Sequence, residues 1–105
     1  MLNLTDETFH AERVKPGYLV VDFWAIWCPP CRLMSPVLDK VVAKFPGTTF
    51  AKVNAPENAD LSTEYQIQTI PAFLLFKDGT LVHRWNGSSS AEQFEGILRS
   101  HGVDG

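Results

Sequence analysis

The sequence is short of the features that mark several classes of function. Basic residues are outnumbered, nine Lys and Arg against twelve Asp and Glu in 105 residues, for a formal charge of −3. No segment gathers those cations into a stripe, which argues against nucleic acid as a partner, because phosphate backbones are bound through clustered positive charge. Long hydrophobic runs are also missing. The apolar stretches extend only a few residues, far short of the roughly 20 a bilayer requires, so no membrane span is expected. The opening residues MLNLTDETFH are acidic and polar rather than basic and then apolar, unlike a secretory leader. No Gly-rich phosphate loop is present. There are only two cysteines, Cys28 and Cys31, whereas a small disulfide scaffold carries more at longer spacings. A four-ligand zinc site would need two of His10, His83 and His101 to join them, and these follow no ligand spacing.

Apolar residues make up 45% of the chain, and the seven glycines and seven prolines fall as punctuation between periodic segments. No repeat, low-complexity tract or linker divides it, so one domain over residues 1–105 is expected. Thr5 followed by Asp6 and Glu7 predicts an N-capped helix reaching Val14, ended by Lys15-Pro16-Gly17. Residues 19–24 are almost continuously apolar, as in a strand covered on both faces, and Asp22 interrupts them. Leu33, Met34, Val37, Leu38, Val41 and Val42 recur at helical spacing from Cys28 to about Phe45, with Pro36 expected to kink the helix. Residues 49–54 alternate as a strand, and residues 58–65 read as a short helix. Residues 72–76 and 81–85 flank Asp78-Gly79 as a hairpin, and Ser90 with Gln93 predicts a capping box on a last helix that stops at Gly102. Helices alternating with strands, then a hairpin, predict an α/β fold: a mixed central sheet flanked by helices on both faces.

The chemistry concentrates between Trp24 and Arg32, where a buried strand gives way to a helix. A helix N-terminus presents partial positive charge and unpaired N–H groups, which favour a thiolate over a thiol. In Cys-X-X-Cys settings the ordinary thiol value of about 8.5 falls to somewhere between roughly 3.5 and 7.5. Cys28 is therefore the candidate nucleophile. Cys31, one turn further on, can close a disulfide with it and can displace whatever Cys28 captures. Asp22, flanked by apolar residues, reads as a buried carboxylate with raised proton affinity, poised as a base; the competing reading is a strand-end acid turned to water. Trp27 alone reads equally as core or contact residue, and Trp24 reads as packing. His101 reads as a cation at a helix C-terminus, and Glu57, Asp60, Glu64, Glu92 and Glu95 as solvated helix faces.

These motifs, in this order along nearly the whole chain, resemble the thioredoxin family: Val21-Asp22-Phe23-Trp24-Ala25, Trp27-Cys28-Pro29-Pro30-Cys31, Pro36, Ile70-Pro71 and Asp78-Gly79. The resemblance implies a thioredoxin fold and a thiol-disulfide oxidoreductase that reduces protein disulfides. It implies that Cys28 attacks, that Cys31 resolves the mixed disulfide, that Asp22 is the buried acid assisting Cys31, and that Lys52 is the lysine near that acid. It further implies a cis Ile70–Pro71 bond facing the disulfide, with the Ile70 backbone pairing with an extended substrate segment as an added strand. The docking surface would include Ile26, Trp27, Pro29, Pro30, Thr69, Ile70, Pro71 and Gly87. By the same resemblance, the chain works without a bound cofactor beyond the Cys28–Cys31 redox disulfide. The resemblance further implies re-reduction by a thioredoxin reductase using NADPH, action on disulfide-containing proteins, and a monomeric state.

The chain departs from the family pattern at Pro29, where glycine is usual, at Ile26 and Thr69, and at Ala55-Pro56 after Asn54. At the first helical position Pro29 forfeits little, but it precedes Pro30 and so bears on the helix start and the redox potential. Three readings stay open: a reductase, an oxidase or isomerase with a shifted potential, and a non-catalytic binding module on the same scaffold. The absence of a leader and of structural disulfides suits a reducing cytoplasm, although a mature exported chain looks similar.

Overall fold

Side-chain alternation along adjacent strands decides where the chemistry sits. The computed structural model, which describes residues 1–105, has five strands: β1 (Leu2–Asn3), β2 (Tyr18–Trp24), β3 (Thr49–Asn54), β4 (Ala72–Lys77) and β5 (Thr80–Asn86). Four helices accompany them: α1 (Phe9–Arg13), α2 (Pro29–Lys44), α3 (Ala59–Glu64) and α4 (Ala91–Ser100). The strands form one sheet in the order β1-β3-β2-β4-β5. β1 and β2 run parallel to β3, whereas β4 is antiparallel to both β2 and β5. This is the mixed sheet the element order predicts.

Leu19, Val21 and Phe23 of β2, with Ala51, Val53, Leu74 and Phe76 from its neighbours, bury toward Phe9 of α1 and Leu61 of α3. Val20, Phe50, Phe73 and Leu75 face the other way, onto Met34, Leu38 and Val41 of α2 and Phe94 and Leu98 of α4. Each large apolar side chain contributes roughly 1.5–3 kcal/mol on burial, so a one-residue slip of β2 is strongly opposed. The same phase carries Asp22 and Trp24, in step with Val20, onto the α2 side of the sheet, and Lys52, in step with Phe50, beside them.

Local chemistry explains most element boundaries. Asp78 and Gly79 both have positive φ, 50° and 88°, and form the two-residue turn between β4 and β5. The capping box on α4 is complete: Gln93 N donates to Ser90 Oγ at 3.1 Å, and Ser90 N donates to Gln93 Oε1 at 3.0 Å. α2 continues through Pro36, which offers no N–H to the Arg32 carbonyl.

Three expectations need correction. α1 begins at Phe9 rather than after Thr5, because residues 6–8 form a turn in which the Thr5 carbonyl accepts from Thr8 N and Phe9 N. Asp6 is not a first-turn acid of α1; its Oδ1 accepts from Leu61 N at 3.0 Å and so caps α3. Glu95 is not a solvated acid either, being buried and paired with Lys44 at 3.0 Å. No helix is long and apolar enough to cross a membrane.

Candidate active site

β2 ends at Trp24, and the chain turns through Ala25, whose carbonyl accepts from Cys28 N at 3.2 Å. Cys28 is the N-cap of α2, with extended backbone angles (φ −96°, ψ 105°), and Pro29 and Pro30 take the first two helical positions. Those positions suit proline, since the missing N–H groups have no helical acceptor in any case. The next N–H, that of Cys31, points back and donates to Cys28 Sγ at 3.3 Å. The two cysteines are joined as a disulfide with Cα atoms 5.3 Å apart.

Cys28 is 3% and Cys31 5% exposed. Both sulfurs are therefore nearly closed to solvent in the oxidised chain. Neighbouring side chains cover most of the disulfide, and approach is confined to a rim. Ile26 and Trp27, 73% and 67% exposed, stand on that rim, which settles Trp27 as a surface residue rather than core. Pro29, Pro30 and Thr69 are exposed, Ile70 is half-buried and Pro71 buried. The Ile70–Pro71 peptide is cis, and the Ile70 carbonyl oxygen lies 3.8 Å from Cys28 Sγ. Gly87, at φ 92°, donates its N–H to the Pro71 carbonyl at 2.9 Å and ties the end of β5 to this loop.

Behind the disulfide lies a polar cavity of about 280 Å³ whose walls include Asp22, Trp24, Cys31, Arg32, Asp39 and Lys52. Asp22 is only 5% exposed, and its Oδ1 has no hydrogen-bond partner. Burial pushes its carboxyl up from the ordinary 3.8 to about 7, with the Lys52 ammonium pulling the other way. The reading of Asp22 as a water-facing acid is thereby excluded. Lys52 pairs with Asp22 in the β2–β3 register but makes none of the molecule's ion pairs. The fold thus brings every sequence-derived candidate to one end of the sheet, divided between an outer rim and an inner cavity.

A family model described as Thioredoxin matches residues 1–100. The chain belongs to the thioredoxin family. It is 36% identical to the thioredoxin of Chlamydia pneumoniae over 88 residues, 84% of this chain and 86% of that one. It is 33% identical to a Staphylococcus aureus thioredoxin over 102 residues, 96% of this chain and 97% of that one. Among solved structures it is similar, with a TM-score of 0.88 and 30% identity, to a chain from a study of thiol resolution in yeast mitochondrial 1-Cys peroxiredoxin via the glutathione and thioredoxin systems; the match covers 95% of this chain and 94% of that chain. As a member of the thioredoxin family bearing a disulfide-forming Cys-X-X-Cys pair, the chain is a thiol-disulfide oxidoreductase and a protein-disulfide reductase.

Two features of this thioredoxin site escape sequence reasoning. Leu33, one of the residues assigned to the apolar stripe of α2, is exposed just beyond the cysteines; helical spacing fixes its angular position but not where the covering elements end. Trp24 is more than packing, because the Lys52 ammonium lies 5.2 Å from its ring centroid. An aromatic and a basic residue standing diagonally on adjacent strands, Lys52 opposite Asp22 and two positions from Trp24, are the available signal, and it requires the strand register.

Proposed function

We propose that Cys28 is the attacking sulfur and Cys31 the resolving one, with electrons passing from a thioredoxin reductase through this pair to disulfide-bonded proteins. The observation that carries the assignment is the asymmetry of the two cysteines: Cys28 caps the helix beside Ile70 and accepts the Cys31 N–H, while Cys31 lines the Asp22 cavity. In the reduced chain, the Cys28 thiolate attacks one sulfur of the substrate disulfide. A Cys28–substrate bond forms, the substrate S–S bond breaks, and the departing thiolate takes a proton from solvent. Cys31 then loses its proton to Asp22 and attacks Cys28 Sγ, which releases the second substrate thiol and leaves the Cys28–Cys31 disulfide. Two electrons have moved to the substrate.

A carboxyl with its midpoint near 7 is matched to accept that proton at neutral pH. The cavity has room for a water relay between the two groups. Lys52 supplies the positive charge that keeps the Asp22 carboxylate accessible. On the rim, Trp27, Ile26, Pro29 and Pro30 offer apolar contact, while Thr69, Ile70, Pro71 and Gly87 frame an edge along which an extended substrate segment lies. Residues 1–105 act as one domain and as a monomer in the cytoplasm, and the chemistry needs no bound cofactor or metal.

The test is a coupled assay in which NADPH oxidation by thioredoxin reductase is driven by insulin disulfide reduction through this chain, together with the midpoint of the pair in a glutathione buffer. Catalysed NADPH consumption with a reducing midpoint is expected. An oxidising midpoint would assign the chain to the oxidase or isomerase direction, and activity persisting in Cys28→Ser would rule out the dithiol mechanism.

A further inference from the structure

Trp24 follows Asp22 by two positions on β2, so the pleat sends both side chains to the α2 side. Lys52 stands opposite Asp22 in the register of β3, yet its ammonium does not close an ion pair with that carboxylate. It lies over the Trp24 ring, 5.2 Å from the centroid, within the range in which a cation is attracted to an aromatic face. The Trp24 side chain also packs against the cluster of Ala25, Cys28 and Cys31. One indole therefore touches both the redox pair and the cation nearest its base.

Trp24 Nε1 has no acceptor among the protein's own atoms, and the contact with Lys52 is made by the ring face. A direct Lys52–Asp22 ion pair would hold Asp22 ionised and leave it a weak base, whereas a Lys52 released to solvent would leave the burial of Asp22 unopposed. A cation held nearby on an aromatic face gives a field between these extremes.

We propose that Trp24 is a positioning residue whose ring holds the Lys52 ammonium near Asp22 but off it, and so sets the proton affinity of the group that serves Cys31. This rests on the reading of Asp22 as the base for Cys31. The other charged groups facing Asp22 are Arg32 and Asp39 of α2, which oppose one another in sign, and Met1 beside β1, which also lines the cavity; β4 presents Phe73 opposite Asp22 and adds no charge.

The experiment follows the Asp22 carboxyl carbon by NMR titration in the reduced protein, Trp24→Leu, Lys52→Met and the double variant, with Trp24→Phe as the ring-preserving control. Trp24→Leu is expected to shift the Asp22 midpoint downward, because an ammonium freed from the ring closes on the carboxylate. That shift should vanish in the Lys52→Met background, and Trp24→Phe should stay close to the parent protein. A shift of the same size with and without Lys52, an upward shift, or no shift would overturn the proposal. Should the leucine variants fail to fold, the parent protein still decides: the Lys52 Hε protons must show upfield ring-current displacement, and ordinary chemical shifts would contradict the contact. The two layers fail separately. If Asp22→Asn leaves resolution of the mixed disulfide unimpaired while the midpoints remain coupled through Lys52, the base assignment falls and the positioning stands.

Discussion

Asp22 of β2 and Lys52 of β3 stand opposite each other in the sheet register without forming an ion pair. A carboxylate and an ammonium side by side in a largely apolar layer would ordinarily close up, because each relieves the other's desolvation. Here the acid faces a cavity shared with Cys31 and the lysine lies over Trp24. Burial, opposed only in part by that lysine, leaves a carboxyl that titrates near neutrality, and several measurable consequences follow.

The first concerns stability against pH. With its folded midpoint raised from 3.8 to about 7, Asp22 holds a proton in the folded chain that the unfolded chain releases from about pH 4 upward. Its favourable contribution is therefore fully present below pH 4 and is lost as pH rises to about 7, with no further change beyond. Asp22→Asn, which is neutral throughout, should be more stable than the parent at pH 8, by on the order of 4 kcal/mol at most. The gain should disappear at pH 4. Urea denaturation of both proteins at the two pH values checks this, and an Asn variant less stable than the parent at pH 8 would contradict it.

Trp27 separates docking from packing. At 67% exposure it supports little of the core, so Trp27→Ala should change unfolding free energy by no more than about 0.5 kcal/mol. The same variant should raise KM for protein disulfides while leaving reduction of a small disulfide such as dithionitrobenzoate nearly unchanged. A large loss of stability, or equal losses on both substrates, would return Trp27 to the core.

Pro29 occupies the first helical position, where its fixed φ is already that of the folded chain. Replacing it with Gly restores freedom chiefly to the open dithiol form, so closing the ring should become less favourable by roughly 1 kcal/mol. For a two-electron couple this corresponds to a potential about 20 mV more oxidising. Equilibration of Pro29→Gly and the parent against glutathione measures the difference, and an unchanged or more reducing potential in the variant would show that Pro29 does not tune the couple in this way.

Much of this architecture is legible in the residues because it is encoded over short distances. The continuous apolar run of β2, the alternation in β3, the helical recurrence from Met34 to Val41, the Asp78-Gly79 turn and the Ser90–Gln93 box each depend on neighbours a few positions apart. What was misread depends on partners far along the chain. Asp6 looks like a helix-start acid until Leu61 claims its carboxylate. Glu95 looks solvated until Lys44 reaches it across the α2–α4 interface. His101 does sit at the end of α4, and only the fold shows that it also stacks on His83 with ring centroids 4.1 Å apart. β1 is two residues long and carries no periodicity to detect. At the site, the cysteines and Asp22 announce themselves by type and spacing, whereas the role of Trp24 emerges only once the β2–β3 register places Lys52 beside it.

The division of labour between the cysteines is tested most directly by trapping. Cys28→Ser and Cys31→Ser, each reduced and then presented with a disulfide-bonded protein, are quenched in acid, and the cross-linked peptides are identified by mass. Cys31→Ser should accumulate a mixed disulfide through Cys28, and Cys28→Ser should accumulate essentially none. A stable adduct through Cys31 forming as quickly in Cys28→Ser would show that Cys31 can attack by itself, and the proposed order of the two steps would be wrong.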